Sequence, residues 1–101
     1  MFLYQVLSED YRYFQVVRIG DQLLAKQLPF QATEAYTNAV EMKPANAIGY
    51  VKRAESHRDQ GNLVPALTDL KTAWSLSQDK RIVSFRIAEI YYEMERFDDA
   101  S

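Results

Sequence analysis

The chain has 101 residues, which suits one small domain or part of a larger protein. Hydrophobic residues make up 48% of it and charged residues 26%, a balance typical of folded globular proteins rather than disordered ones. The formal net charge of -2 argues against a general nucleic-acid binder, because such proteins carry an excess of basic residues. The absence of cysteine excludes disulfides, thiol catalysis and thiolate zinc sites.

The segment 1–12 begins with seven apolar or uncharged residues that lack a basic leader. It reaches Ser8, Glu9 and Asp10 too early for a signal peptide. No run in the chain approaches the roughly 20 apolar residues that span a bilayer. We therefore expect a cytoplasmic protein with no membrane and no nucleic-acid partner. We also expect residues 1–12 to be the end of a preceding helix that covers the first helical unit.

An internal repeat of 34 residues organises the rest of the chain. Small residues recur at this interval in three series: Gly20, Ala54 and Ala88; Ala32, Ala66 and Ala100; Ala39 and Ala73. Two antiparallel helices approach closely only where bulky side chains are missing, so recurring small residues indicate recurring helix contacts. Large apolar residues between them are spaced by three, four and seven, which predicts helices rather than strands.

Turn-forming residues mark the ends of these helices. Pro29 and Pro65 lie at or near the start of each second helix, where a missing amide hydrogen is tolerated. Gly61 and Asn62 mark the turn of the second unit, and residues 43–46 end the first. The pattern predicts hairpins over 13–43 and 47–77, then a helix over 81–94. We expect the chain to reverse direction after this helix and to end about one helical turn into a second helix of the third unit.

Together these positions resemble the tetratricopeptide repeat (TPR). In the first unit they are Val16, Ile19, Gly20, Leu23, Ala32, Tyr36, Ala39 and Pro44; in the second, Tyr50, Ala54, Ala66, Leu70 and Ala73; in the third, Ile87, Ala88, Tyr91, Phe97 and Ala100. Four positions depart from the family pattern: Arg53, His57, Gln78 and Ser84. The resemblance implies an all-α, right-handed solenoid of helix–turn–helix hairpins. TPR 1 would span 13–46, TPR 2 would span 47–80, and a truncated TPR 3 would span 81–101.

The third unit is incomplete in this pattern. Without a following helix, the apolar residues Ile87, Ile90, Tyr91 and Met94 would lack cover, and terminal repeats normally carry a polar outer face. A longer protein or a partner chain would supply the missing helix, and we expect the isolated chain to form a homodimer through this repeat. Self-association, or a regulatory role within a longer protein, is therefore the alternative to ligand binding.

The TPR resemblance implies a function as a protein-interaction scaffold, either an adaptor or a co-chaperone. In this family the first helix of each hairpin lines a concave groove that binds a peptide or client segment. The residues at equivalent groove positions are basic (Arg18, Lys52, Arg86), acidic (Asp21, Glu55, Glu89) or apolar (Phe14, Ile48 and Ile82; Val17, Val51 and Phe85). The charged residues either pair along their own helix at i,i+3 or bind the polar groups of a peptide. The apolar residues either pack between successive first helices or contact the ligand.

One known use of the groove does not fit this sequence. Family members that bind the acidic tail of heat-shock chaperones use a clamp of two Lys, two Asn and one Arg. The equivalent positions here are Val17, Asp21, Lys52, Ile82 and Arg86, of which only Arg86 matches. The segment from Arg53 to Tyr92 also looks like repeats of J-domain co-chaperones, which would place the protein in the endoplasmic reticulum lumen.

No enzymatic or cofactor-binding pattern emerges from the sequence. The single histidine, His57, occupies a position where the repeat places a packed aromatic ring. The three glycines form no phosphate-binding loop, and the acidic residues are dispersed without a pair suited to acid–base chemistry. We therefore expect no enzyme activity, no metal and no cofactor, and we interpret Trp74 as a packing residue between repeats.

Overall fold

The computed structural model describes the backbone of residues 2–100 and the side chains of residue 3 and of residues 7–96. Five helices account for most of this part of the chain: α1 (Phe2–Ala25), α2 (Pro29–Met42), α3 (Ala47–Asp59), α4 (Leu63–Leu76) and α5 (Arg81–Ala100). Over residues 2–100 the secondary structure contains no strand. The all-α prediction is confirmed, and the helices from α2 to α4 begin and end close to the predicted bounds. The predicted repeat positions Phe97 and Ala100 lie outside the described side chains.

Helices α1 and α2 form the first hairpin around a contact that requires glycine. A Cβ atom added to Gly20 would lie 2.8 Å from Cζ of Tyr36 and closer still to two other ring carbons. The fully buried Tyr36 ring therefore occupies the space that any side chain at position 20 would need. The turn between the helices places Gln27 at a φ of 62°, and Pro29 then opens α2.

Helices α3 and α4 repeat this arrangement with alanine in place of glycine. Ala54 on α3 lies against α4, whose Ala66, Leu70 and Ala73 are also buried. Asn46 caps α3 by accepting a hydrogen bond from the Ile48 amide at 2.9 Å. Gly61, at a φ of 80°, forms the turn in a backbone region that favours glycine.

Helix α5 packs on the second hairpin but does not end where we predicted. It continues to Ala100, so the turn expected before Asp98 is absent from the described residues. No glycine, proline or asparagine occurs between 95 and 100, whereas the turn of the second hairpin has Gly61 and Asn62. The expectation that Ile90 lacks cover is also wrong: it is 1% exposed because it packs into the core of the second hairpin. Tyr91 remains 46% exposed.

Residues 2–12 belong to α1 and are not the end of a separate helix. The side chains of Leu3, Leu7 and Tyr11 are exposed, so these three residues do not cover the first hairpin as we expected. An ion pair between Asp10 and Lys43 joins it to the end of α2, and the Lys43 ammonium lies 5.3 Å from the centre of the Tyr13 ring.

Successive helices pack against one another in chain order. Helix α1 contacts α2, α2 contacts α3, α3 contacts α4 and α4 contacts α5, while α1 also contacts α3. The described part of the molecule measures 58 × 30 × 16 Å along its principal axes. Helices α1 and α3 are therefore neighbours, as are the consecutive helices from α1 to α5.

Candidate protein-interaction surface

Charged residues of successive first helices pair with one another across the helix boundaries. Asp21 Oδ1 on α1 lies 3.2 Å from Lys52 Nζ on α3. Glu55 Oε1 on α3 lies 3.0 Å from Arg86 NH1 on α5. We call these two pairs the charge ladder. The acid of one unit pairs with the base of the next, and none of the three expected i,i+3 pairs occurs among the ion pairs of the described residues.

The two pairs of the charge ladder link different helices, α1 to α3 and α3 to α5. Its four side chains are between 29% and 43% exposed, so the pairs are partly shielded from water. Asp21 also accepts a hydrogen bond from the Tyr36 hydroxyl at 2.5 Å, and the pKa of Tyr36 is raised by burial and by this carboxylate. A ligand that bound these groups would have to compete with interactions already made inside the chain.

Arg18 and Glu89 occupy the equivalent positions beyond the two pairs, at the two ends of the charge ladder, and they do not follow this pattern. Arg18, the equivalent of Lys52 on α1, is exposed and makes no ion pair with any residue that the structure describes. Glu89, the equivalent of Asp21 on α5, lies 3.7 Å from Arg58. Arg58 pairs more closely with Glu93, to which its Nε donates at 2.7 Å. Free or weakly paired charge therefore remains at opposite ends of the ladder.

Large apolar side chains lie exposed beside the charge ladder. Phe14, Ile48 and Ile82 precede the basic residue of their helix by four positions, which places each on the same helix face as that residue. Their exposed fractions are 58%, 43% and 69%. Phe85, one turn along α5 from Ile82, is 66% exposed. We call these four residues the apolar row.

The repeat position of Phe85 is packed on α1 and α3 but exposed on α5. Its equivalent on α1, Val17, is 7% exposed and belongs to the core of the first hairpin. Its equivalent on α3, Val51, is partly buried against the core of the second. Both valines are therefore packed between elements of the chain, while Phe85 on the last described helix faces solvent.

His57 is a packed residue of the second hairpin. Its Nε2 lies 3.8 Å from Asp69 Oδ2, and its Nδ1 is buried without a hydrogen-bond partner. Desolvation lowers the pKa of the ring, although the Asp69 charge opposes this effect. The histidine therefore contributes to the α3–α4 contact in its neutral form. Within the described residues, no three His, Cys, Asp or Glu side chains lie close enough together to hold a metal ion.

The sequence interpretation missed an extension of the apolar row along α1. Leu3, Leu7, Tyr11 and Phe14 are separated by four, four and three residues and are all exposed. This spacing places them on one face of α1. The periodicity was visible in the sequence, but assigning residues 1–12 to a different helix separated Phe14 from the other three.

No family model matches the sequence, and no curated protein is significantly similar to it. Across residues 2–100, none of the helices is both long enough and apolar enough to cross a membrane. The likeness to the TPR pattern therefore depends on the repeat positions themselves, among which the buried contacts at Gly20 and Ala54 are the most restrictive.

Proposed function

We propose that this chain is a TPR-type helical scaffold that binds an apolar peptide segment along the apolar row. The 34-residue period and the packing of helices in chain order support a solenoid of stacked hairpins. Equivalent positions on α1, α3 and α5 then form one continuous face, the concave groove of such an array. Its role is that of an adaptor or co-chaperone.

The exposure of the apolar row is the observation that carries this proposal. Phe14, Ile82 and Phe85 are each more than half exposed. Phe14 and Ile82 share one repeat position with Ile48, and Phe85 lies one turn from Ile82. Single exposed apolar residues need no explanation, but an apolar strip on one face is typical of an interaction site. Because the charge ladder is already paired internally, apolar contact provides most of the binding free energy.

The ends of the ladder select the orientation of the ligand. Arg18 has no ion-pair partner in the described chain and attracts an acidic residue of the peptide. Glu89, held only loosely by Arg58 at 3.7 Å, attracts a basic residue. A peptide with apolar residues between an acidic end and a basic end is therefore the preferred ligand. Such charges contribute more to orientation and association rate than to affinity.

A peptide selection followed by matched variants tests the proposal. A random peptide library displayed on phage is selected on the wild-type chain, and the recovered peptides are measured by fluorescence anisotropy. Phe85→Ser should weaken their binding about tenfold, since an apolar anchor is worth roughly 1–2 kcal/mol. Phe30→Ser is the control, because Phe30 on α2 is 72% exposed and lies outside the apolar row.

The same measurement distinguishes apolar from ionic binding. Arg18→Ala should weaken binding less than Phe85→Ser and should reduce its dependence on salt. Peptides that bind the Phe85→Ser chain as tightly as wild type, or that lose affinity with Phe30→Ser instead, would place the site away from the apolar row. A selection that yields no peptide above background would refute peptide binding altogether.

A further inference from the structure

A small cavity lies between α3 and α5, beside the second pair of the charge ladder. Its volume is about 10 Å³, close to the minimum that holds one water molecule. Its floor consists of Ala54, Leu70 and Ile90, which are each 2% exposed or less. Its rim consists of Glu55, Arg58 and Arg86, whose side chains are partly exposed. We call it the α3–α5 cavity.

Leu70 stands where the first hairpin has a tyrosine, Tyr36, which is 34 positions earlier. In the first hairpin the Tyr36 ring packs against Gly20, and its hydroxyl donates to Asp21 at 2.5 Å. Leucine has neither the ring nor the hydroxyl. The carboxylate of Glu55, the equivalent of Asp21, therefore receives no such hydrogen bond from α4, and the cavity lies beside it.

The rim of the cavity offers polar groups that a peptide backbone can bind. Glu55 pairs through Oε1 with Arg86 NH1 at 3.0 Å. Arg58 donates from Nε to Glu93 at 2.7 Å and also pairs with it through NH2. A guanidinium has five N–H donors, so both arginines keep donors that these pairs do not use. Carbonyl groups of a bound peptide can accept from them at the mouth of the cavity.

We propose that the α3–α5 cavity binds a threonine side chain of the peptide ligand. The threonine methyl group fills the cavity, and the hydroxyl donates to Glu55 as the Tyr36 hydroxyl donates to Asp21. This inference rests on the proposed function and makes its ligand more specific. Ile82 of the apolar row and Arg86 of the rim lie four residues apart on one face of α5, so one peptide contacts both surfaces.

Other side chains satisfy only part of this site. Serine has the hydroxyl but lacks the methyl group, and valine has the shape of threonine but lacks the hydroxyl. Leucine is larger than a cavity of about 10 Å³ admits. A hydrogen bond to a carboxylate is about twice as strong as one between neutral groups, so the hydroxyl contributes the larger share of the preference.

Substitution within the ligand is the first test. The peptides that phage selection recovers on the wild-type chain should share a threonine at a fixed distance from their apolar residues. In fluorescence anisotropy, synthetic copies with valine at that position should bind about tenfold more weakly, because Glu55 loses its hydroxyl donor. Copies with serine should bind about fourfold more weakly, the equivalent of one buried methyl group. Copies with leucine should bind more weakly than either.

A chain with a filled cavity is the second test. Ala54→Gly combined with Leu70→Tyr copies the first hairpin, where the tyrosine ring leaves no room for a Cβ atom opposite it. This chain should bind the threonine and valine peptides equally, and the threonine peptide about tenfold more weakly than wild type does. Ala88→Gly combined with Leu76→Tyr is the control. It makes the same two changes at exposed positions outside the cavity, so it should keep the threonine preference.

A chain with a larger cavity keeps the inference testable if the filled chain does not fold. Val51 also lines the cavity, and Val51→Ala enlarges it by the two methyl groups of valine. This chain should bind the leucine peptide about tenfold more tightly than wild type does. Val64→Ala is the control, because Val64 on α4 is 68% exposed and does not line the cavity. Circular dichroism at 222 nm verifies that each variant is helical.

The results separate this inference from the proposed function. Equal affinity of wild type for the threonine, valine and leucine peptides would refute the threonine site and leave the apolar row intact. An unchanged threonine preference in the filled or the enlarged chain would do the same. A threonine preference that persists although Phe85→Ser has no effect on binding would refute the apolar row alone. A selection that recovers no peptide would refute both.

Discussion

Removing the Asp69 carboxylate should destabilise the second hairpin more than any other single charge change. Asp69 is 5% exposed and accepts two hydrogen bonds from Arg53, at 2.8 Å from Nε and 2.8 Å from NH2. The hydrogen bonds that Arg53 donates to this carboxylate raise the pKa of the guanidinium. Asp69→Ala would leave the guanidinium beside a cavity, with Thr37 Oγ1 at 3.4 Å as its remaining hydrogen-bond acceptor among the described residues.

The expected loss follows from how deeply the pair is buried. Removing one partner of a fully buried ion pair costs about 3–5 kcal/mol. The Arg53 side chain is 21% exposed and recovers part of its hydration, which reduces the expected cost to about 2–3 kcal/mol. For a domain of this size, such a loss lowers the unfolding midpoint by roughly 10–20 °C.

Urea and thermal denaturation followed by circular dichroism at 222 nm measure this loss. The matched control is Asp79→Ala, which removes an Asp–Arg pair whose side chains are 59% and 89% exposed together with a hydrogen bond from the Arg81 amide, and it should cost clearly less than Asp69→Ala. A double variant, Arg53→Met with Asp69→Leu, should recover most of the loss, since a hydrophobic pair can replace a buried ion pair. If Asp69→Ala cost no more than Asp79→Ala, the Arg53–Asp69 pair would not hold α3 against α4.

Three further changes have defined outcomes. Burial lowers the pKa of His57 in the folded chain, so the unfolded chain binds more protons; stability should be full above the unfolded pKa and decline as pH falls through the folded pKa. Urea midpoints at pH 7.5 and 5.5 should show this decline in the wild type and a smaller one in His57→Gln. Lys52→Glu should lower the urea midpoint by placing a carboxylate against Asp21, whereas Lys52→Gln should lower it less, because it removes the pair at 3.2 Å without adding a repulsion; equal midpoints for the two variants would show that the pair does not form in solution. Ala66→Leu should cost roughly 1–3 kcal/mol by overpacking, because Ala66 is fully buried; an unchanged melting temperature would show that the helix contact is misplaced.

The repeat positions predicted the helix contacts well because they are local and steric. Gly20 and Ala54 are 34 residues apart, and this interval predicted the same helix contact in both hairpins. Both residues are buried, which confirms the prediction. The turn at Gly61 was likewise predictable, since its φ of 80° favours glycine. In each case a single residue type satisfies a single geometric condition, which is close approach of two helices at Gly20 and Ala54 and a positive φ at Gly61.

The charged positions show where prediction from the sequence stopped. Spacing along one helix allowed Lys52 to pair with Glu55, and nothing in the sequence favoured Asp21, 31 residues away, over this neighbour. The structure pairs Lys52 with Asp21 because α3 lies alongside α1. This pairing matters for the candidate surface, because a charged side chain that is paired with another helix must lose that partner before it can bind a ligand.

The sequence by itself determined the helical class, the repeat interval and the residues at the helix crossings, since periodicity and side-chain size act over short distances along the chain. Only the tertiary structure decided that α1 reaches back to Phe2, that α5 continues past the expected turn and that Val17 is buried while Phe85 is not. The physical reason is that exposure depends on the neighbouring element: the same repeat position is core where another helix lies beside it and surface where none does.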